Sequence, residues 1–353
     1  MQFFSDVLIA WFLRNMRPLP WRETRNPYPV WISEVILQQT RVQQGMNYYL
    51  RFMDRFPDVA SLANAPEEEV LSLWQGLGYY SRARNLHQAA KQIQNNFKGK
   101  FPDSYAGLQQ LKGVGTYTAA AIASFAFGEN VPVADGNVFR VICRYFGIAD
   151  DIRLPATQEK VRQICAELLP AGKSWEFNQG IMELGALVCT PAGPQCSQCP
   201  LAAGCMARKE NRQKELPFKS KSKARKLRYF NYLWPEYEGK LAFRKRETGD
   251  IWAGLFEPLL YESDRPFQQI DDFPEFPPEI RDNILESRPL LPQKCILSHQ
   301  EIHIRIWILK LLKPLTDEGI RWASGEELDA IPKPVIFSKI LRKAKTSPLS
   351  LIF

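Results

Sequence analysis

The hydrophobic period of this chain changes once, and that change limits what it can fold into. Up to Cys189 apolar residues recur at helical spacing, and no segment alternates convincingly as a strand. After a basic run at residues 208–228 the period becomes two. LRYFNYLW and KLAFRKRE read as paired strands across a Tyr237-Glu238-Gly239 turn. In EIHIRIWIL, Ile302, Ile304, Ile306 and Ile308 share one face, and IPKPVIFSKILRKA closes with a helix. A chain of 353 residues exceeds one ordinary core. The expectation is therefore an all-α domain over residues 1–208, a linker over 209–227 and an α/β domain over 228–353. The run 208–228 carries ten basic residues against two acids, which suits a mobile solvated tether. Contact with phosphate is an equal alternative.

In the helical half, Phe4, Leu8 and Trp11 mark a first amphipathic helix. A second follows the Asn26-Pro27-Tyr28-Pro29 turn, with Ile32, Val35 and Ile36 on its core face. Trp31, Glu34 and Gln38 share a different face. A lone helical Glu is ordinarily a solvated carboxylate. Here the neighbours are apolar or uncharged, so Glu34 would be desolvated and its pKa raised.

The stretch Leu111–Arg140, LKGVGTYTAAAIASFAFGENVPVADGNVFR, reads as helix, Gly-Val-Gly turn, buried helix, extended link and a new helix from Asp135. Phe101-Pro102-Asp103 caps the helix leading in, and Thr116 is the expected cap of the helix leading out. Gly113 and Gly115 allow a sharp turn whose bare amides, with a helix N-terminus behind them, form a phosphate site. Two glycines between helices are also what a plain αα-corner needs. Upstream, GLGYYSRARN gathers aromatic and basic residues in a loop, which suits nucleic acid or simple packing.

Cys189, Cys196, Cys199 and Cys205 follow as C-x6-C-x2-C-x5-C. Four thiolates in one short loop hold either zinc or an iron–sulfur cluster. Seven cysteines with four clustered suit a reducing compartment and a metal site better than disulfides. The net charge of +8 suits a polyanionic partner. No apolar run approaches a membrane span, and the N-terminus lacks the basic lead of a signal peptide. The expected setting is the cytoplasm.

LKGVG followed by VADGNV resembles the helix-hairpin-helix DNA glycosylases of the endonuclease III superfamily, and most closely the MutY-type adenine glycosylases. The resemblance implies a helical catalytic domain with a [4Fe–4S] loop on the four cysteines, then a Nudix-like α/β domain. It also implies a monomer that binds duplex DNA and removes adenine mispaired with 8-oxoguanine or guanine. Breaking that bond needs one carboxyl kept protonated and another kept ionised. Glu34, in SEVILQQT, lies where these enzymes keep their acid, and Asp135 lies where the superfamily keeps its catalytic aspartate. At a helix N-terminus Asp135 is expected to favour its charged form. Tyr117 and Asn137 match positions beside these carboxyls. Gln38, Gln39 and Tyr79 match positions that wedge into the base stack once the adenine is flipped out. Members that also nick the strand carry a lysine just after the hairpin, where this chain has Tyr117. The implied enzyme is thus monofunctional, with no amine to form a Schiff base.

For the opposing base the family uses a Phe-Ser-His loop, which here reads Leu297-Ser298-His299. Ser298 and His299 are the expected readers, without the aromatic wedge. The acidic magnesium-binding helix of a Nudix pyrophosphohydrolase is not visible after Gly254. Two other readings compete: a glycosylase with lyase activity, and a non-catalytic DNA-binding iron–sulfur protein.

Overall fold

The computed structural model describes residues 2–221, 224–274 and 278–346. The chain groups into two compact units, Met1–Asn64 with Asn85–Lys221, and Ala65–Arg84 with Ser222–Phe353. In chain order the helices of the first part are α1 (Gln2–Asn15), α2 (Pro27–Leu37), α3 (Val42–Arg55), α4 (Val59–Asn64), α5 (Glu67–Leu73) and α6 (Ser81–Asn96). They continue as α7 (Tyr105–Leu108), α8 (Thr116–Phe127), α9 (Gly136–Phe146), α10 (Pro155–Leu168), α11 (Ser174–Leu187) and α12 (Met206–Lys209).

In the first unit α1 and α9 pack on α11, and α2 packs on α8. Leu8, Val138, Ile142, Phe177, Ile181 and Leu184 are fully buried together, the faces that helical spacing marks. Two caps differ from expectation. Ser104, one residue beyond Asp103, accepts from the Gly107 amide and caps α7. Gly115 rather than Thr116 is the N-cap of α8, so that helix starts with no side-chain cap.

The second unit is built on β1 (Lys226–Tyr237), β2 (Lys240–Lys245), β3 (Phe256–Glu257), β4 (Leu259–Ser263), β5 (Ile284–Pro289), β6 (Gln293–Ile296), β7 (Gln300–Leu311) and β8 (Ile320–Ala323). The helices α13 (Pro278–Arg281), α14 (Gly325–Ala330) and α15 (Val335–Thr346) complete it. The sheet is mixed: β1 runs parallel to β7 over most of its length and antiparallel to β4. β1 and β2 pair only at Glu236–Leu241 and Tyr237–Lys240, a shorter hairpin than the alternation suggests, because β2 diverges to pair with β8 and β3. Phe230, Tyr232, Trp234 and the four isoleucines of β7 fill one core, with Phe337 and Leu341 of α15. Leu233, Trp307, Leu309 and Leu311 fill another on the opposite face.

Two boundaries depart from the compositional reading. Residues up to 221 in the basic run belong with the first unit. Arg144 Nε donates to Leu216 O, Ile152 N to Phe218 O, and Arg153 Nη1 to Lys221 O. Backbone carbonyls tie this stretch down, so up to 221 it is not a free tether; residues 222 and 223 of the expected linker lie outside the described residues. Residues 65–84, in turn, group with the second unit. Ser72 Oγ donates to Ala330 O, and Glu68 pairs with both Lys245 and Arg321.

Candidate active site

Helix α2 opens on Asn26, whose side chain accepts from the Tyr28 amide, with Pro27 pre-set for the first turn. From Val30 to Ile36 every residue is buried, so the carboxyl of Glu34 has no route to water along its own helix. Glu34 is 5% exposed. Tyr117 Oη donates to its Oε2 at 2.6 Å. Burial pushes the Glu34 carboxyl up to about 7, against the Tyr117 hydrogen bond and the Arg22 charge, with Asp135 adding to the rise. Glu34 thus lies within electrostatic reach of Asp135, although 101 positions separate them in sequence (135 − 34).

Asp135 is the N-cap of α9. Its Oδ1 accepts from the Asn137 and Val138 amides at 2.8 and 2.9 Å, and its Oδ2 accepts from Asn137 Nδ2 at 2.7 Å. The sequence leads one to expect only lowering here. In the folded protein burial outweighs those hydrogen bonds and the Arg140 charge, and the Asp135 carboxyl is also raised above its ordinary value. The two acids nevertheless differ. Glu34 meets one neutral donor, whereas every hydrogen bond on Asp135 comes from a group that can only donate, which matches a carboxylate. A cationic sugar beside Asp135 would favour its ionised form further.

Asn137 is itself held. Arg140 Nη2 donates to Asn137 Oδ1 and to Gly185 O, each at 2.7 Å, while its Nε donates to Cys189 O. A Cβ at Gly185 would meet Asn137 Cβ at 2.6 Å, so α11 must carry glycine there.

The sequence reading missed Arg17, Arg22, Gln179 and Glu183. Both arginines bond Glu183, and Arg22 Nε also donates to Gln179 Oε1 at 2.9 Å. Burial opposes ionisation of Glu183, but the hydrogen bonds and charges of Arg17 and Arg22 together hold its carboxyl down to about 2. Buried and ionised, this cluster contrasts with Glu34. The only advance signal was an acid facing inward on α11, three residues from Gly180.

In the hairpin, Gly113 has φ +75°, and a Cβ there would lie 2.5 Å from Asn85 Cβ. Gly115 is extended and open around its Cβ position. Gln38 caps α2 and donates to Thr118 Oγ1 at 3.1 Å, and Gln39 has φ +59°. Both belong to the first unit, whereas Tyr79 belongs to the second. Within that unit Tyr79 lines a cavity of about 390 Å³ together with Leu297, Ser298 and His299. Ser298 Oγ and His299 Nδ1 are 3.1 Å apart in the turn between β6 and β7.

Cys189, Cys196, Cys199 and Cys205 are free thiols lining one pocket with Arg144 and Arg208. Arg144 is buried; its Nη1 donates to Cys189 Sγ and Thr190 O, and its carbonyl accepts from Cys205 Sγ. Among the described residues no three His, Cys, Asp or Glu side chains are grouped to hold a metal ion. The four thiols line one pocket with a guanidinium at one sulfur but are not drawn together around a single ion; as a donor set they are of the kind that a larger thiolate-bound cluster takes.

Residues 32–171 match the model of the HhH-GPD superfamily of base excision DNA repair proteins. An adenine DNA glycosylase of Buchnera aphidicola subsp. Baizongia pistaciae is 32% identical over 97% of this chain and 97% of its own length. The chain belongs to the adenine DNA glycosylases. Another adenine DNA glycosylase, from Buchnera aphidicola subsp. Schizaphis graminum, is 37% identical over 72% of this chain and 73% of its own. The solved structure of a thermostable thymine-DNA glycosylase covers 59% of this chain and 95% of its own, with TM-score 0.53 and 28% identity. The helical part of this chain therefore shares its fold with that glycosylase. No helix among the described residues is long and apolar enough to cross a membrane.

Proposed function

We propose that this glycosylase removes adenine from duplex DNA where it is mispaired with 8-oxoguanine or guanine, by hydrolysis of the N-glycosidic bond. The observation that carries the reading is the pairing of Glu34, a buried carboxyl poised near neutrality, with Asp135, a helix-capping carboxyl surrounded by donors. Glu34 protonates the extruded base, which turns a poor leaving group into a neutral one. Asp135 lies where positive charge builds on the sugar as the bond breaks. Tyr117 orients the Glu34 carboxyl, and Asn137, braced by Arg140, orients Asp135. Tyr117 has no nucleophilic amine, which supports a monofunctional enzyme.

On this reading Gln38, Gln39 and Tyr79 contact the distorted duplex, and the amides after Gly113 and Gly115 take a backbone phosphate. Ser298 and His299 read the opposing base from the second unit, a Nudix-like recognition domain. The four cysteines hold a [4Fe–4S] cluster, whose contribution is to fix the fold of the loop that follows α11. The enzyme acts as a monomer on chromosomal DNA in the cytoplasm.

Base release from duplexes carrying adenine opposite 8-oxoguanine, guanine, cytosine or thymine tests the proposal. Preference for the first two supports it, and equal release from all four contradicts it. Borohydride treatment during turnover should trap no covalent DNA adduct; a lysine adduct would favour a lyase.

A further inference from the structure

We infer that Trp252 is a specificity-determining residue, the aromatic wall against which the base opposite adenine is held while Ser298 and His299 read it. The inference rests on the reading that the second unit inspects that base, and it adds the side chain that replaces the aromatic missing at Leu297.

The first observation is backbone strain. Among the described residues, six non-glycine positions have positive φ, and the only aromatic ones are Tyr79 (φ +49°) and Trp252 (φ +60°). Both line the same 390 Å³ cavity, together with Leu297, Ser298 and His299. A bulky side chain in the left-handed region is costly and persists where its surroundings over-determine it.

Those surroundings are evident in the loop. Arg228 forks onto Asp250, and Arg246 bonds Asp250 Oδ2 and, through Nε, the carbonyl of Ile251. Beyond the tryptophan, Leu255 N donates to Trp252 O and Gly254 N to Arg246 O. Arg84, on the segment that carries Tyr79, donates to Ala253 O at 2.5 Å. Trp252 and Tyr79 are thus fixed to one frame. The indole packs edge-on against Phe230, 6.0 Å between centroids, and Phe230 is covered by both guanidiniums. These bonds fix the loop backbone, and the contact with Phe230 sets one edge of the indole.

The chemistry follows from what must be distinguished. Guanine and 8-oxoguanine differ at one ring edge, by a carbonyl and an N–H. A hydroxyl and an imidazole resolve that difference only if the ring is held in register. A rigid aromatic surface supplies register without sequence preference of its own, and leucine cannot stack. The discrimination therefore depends on Trp252 as well as on Ser298.

The test is single-turnover adenine release by the full chain from duplexes with adenine opposite 8-oxoguanine and opposite guanine, for native, W252G, W252L, W252F and S298A proteins, with Tm measured alongside. Glycine suits φ +60° but removes an indole packed on the core, so W252G should lose some Tm while the ratio of the two rates falls about tenfold. W252F should restore most of the ratio. If W252G keeps the native ratio while S298A loses it, the inference is overturned and the partner-base reading stands. If both keep it, that reading itself fails. Should W252G lower the Tm, W252L decides: a folded W252L that keeps the native ratio overturns the inference, and one that loses it while W252F retains it supports the inference.

Discussion

Glu34 and Glu183 are both buried in the helical unit, yet the residues around them drive their carboxyls in opposite directions. Glu34, buried with a single hydrogen bond from a phenol, is raised to about 7 by that burial; Glu183, bonded by two guanidiniums, is held at about 2. The raised carboxyl leaves stability unchanged below its unfolded value near 4.5; from there to about 7 the unfolded chain ionises first and stability falls, then levels off. Glu183 works the other way: its stabilisation is present above about 4.5 and is lost as pH falls toward about 2. E183Q should cost about 3–5 kcal/mol in denaturant titrations at pH 7, because Arg22 is left buried without its counter-charge. E34Q should be at least as stable as the native protein at pH 8, while adenine release falls a hundredfold or more, by about the worth of a general acid. Tyr117 stabilises the ionised form of Glu34, so Y117F should move the alkaline limb of the rate profile to higher pH. A limb that moves down or not at all would show that Glu34 is not the group titrating. Glu34 was legible in the sequence because its helical neighbours are apolar. The desolvation of Asp135 was not, since burial by distant elements leaves no local mark.

At the scale of elements, the hairpin between α7 and α8 separates two roles that its glycines share in the sequence. Gly113 must be glycine for the fold, since its φ is positive and a Cβ would strike Asn85. Gly115 has extended backbone and open space. G113A should therefore lower the Tm by several degrees, an effect of about 1–3 kcal/mol. G115A should leave the Tm near native but, if the proposed phosphate site is right, weaken binding to a duplex in a salt-dependent titration, because the added methyl would crowd those amides. Equal Tm losses in both variants would mean that the turn is only a corner. The helices and the β7 strand were readable because their apolar periods are clean, as in Ile302 to Ile308. The β1–β7 parallel pairing was not, since periodicity gives a strand its faces but not its neighbours.

For the whole molecule, the hydrophobic period located the change from helix to sheet but not how the chain is shared between units. Residues 65–84 join the second unit through Ser72 and Glu68, contacts that no local pattern encodes. The basic stretch before residue 222 is tied by carbonyls to the first, although its charge suggested a tether. The family likeness was legible in LKGVG, VADGNV and the cysteine spacing, whereas the Arg17–Arg22–Glu183 cluster was hidden because its members are scattered. In the proposed reaction one buried acid and one helix-capping carboxylate act on a single extruded adenine. The most direct measurement is the single-turnover rate of adenine release opposite 8-oxoguanine, followed from pH 5 to 9, for the native protein, E34Q and D135N, with duplex binding measured in parallel. The native rate should fall as pH rises through about 7, with near-complete loss in both variants and binding retained. A native profile flat across neutrality, or an E34Q protein that still releases adenine at the native rate, would contradict the proposed reaction.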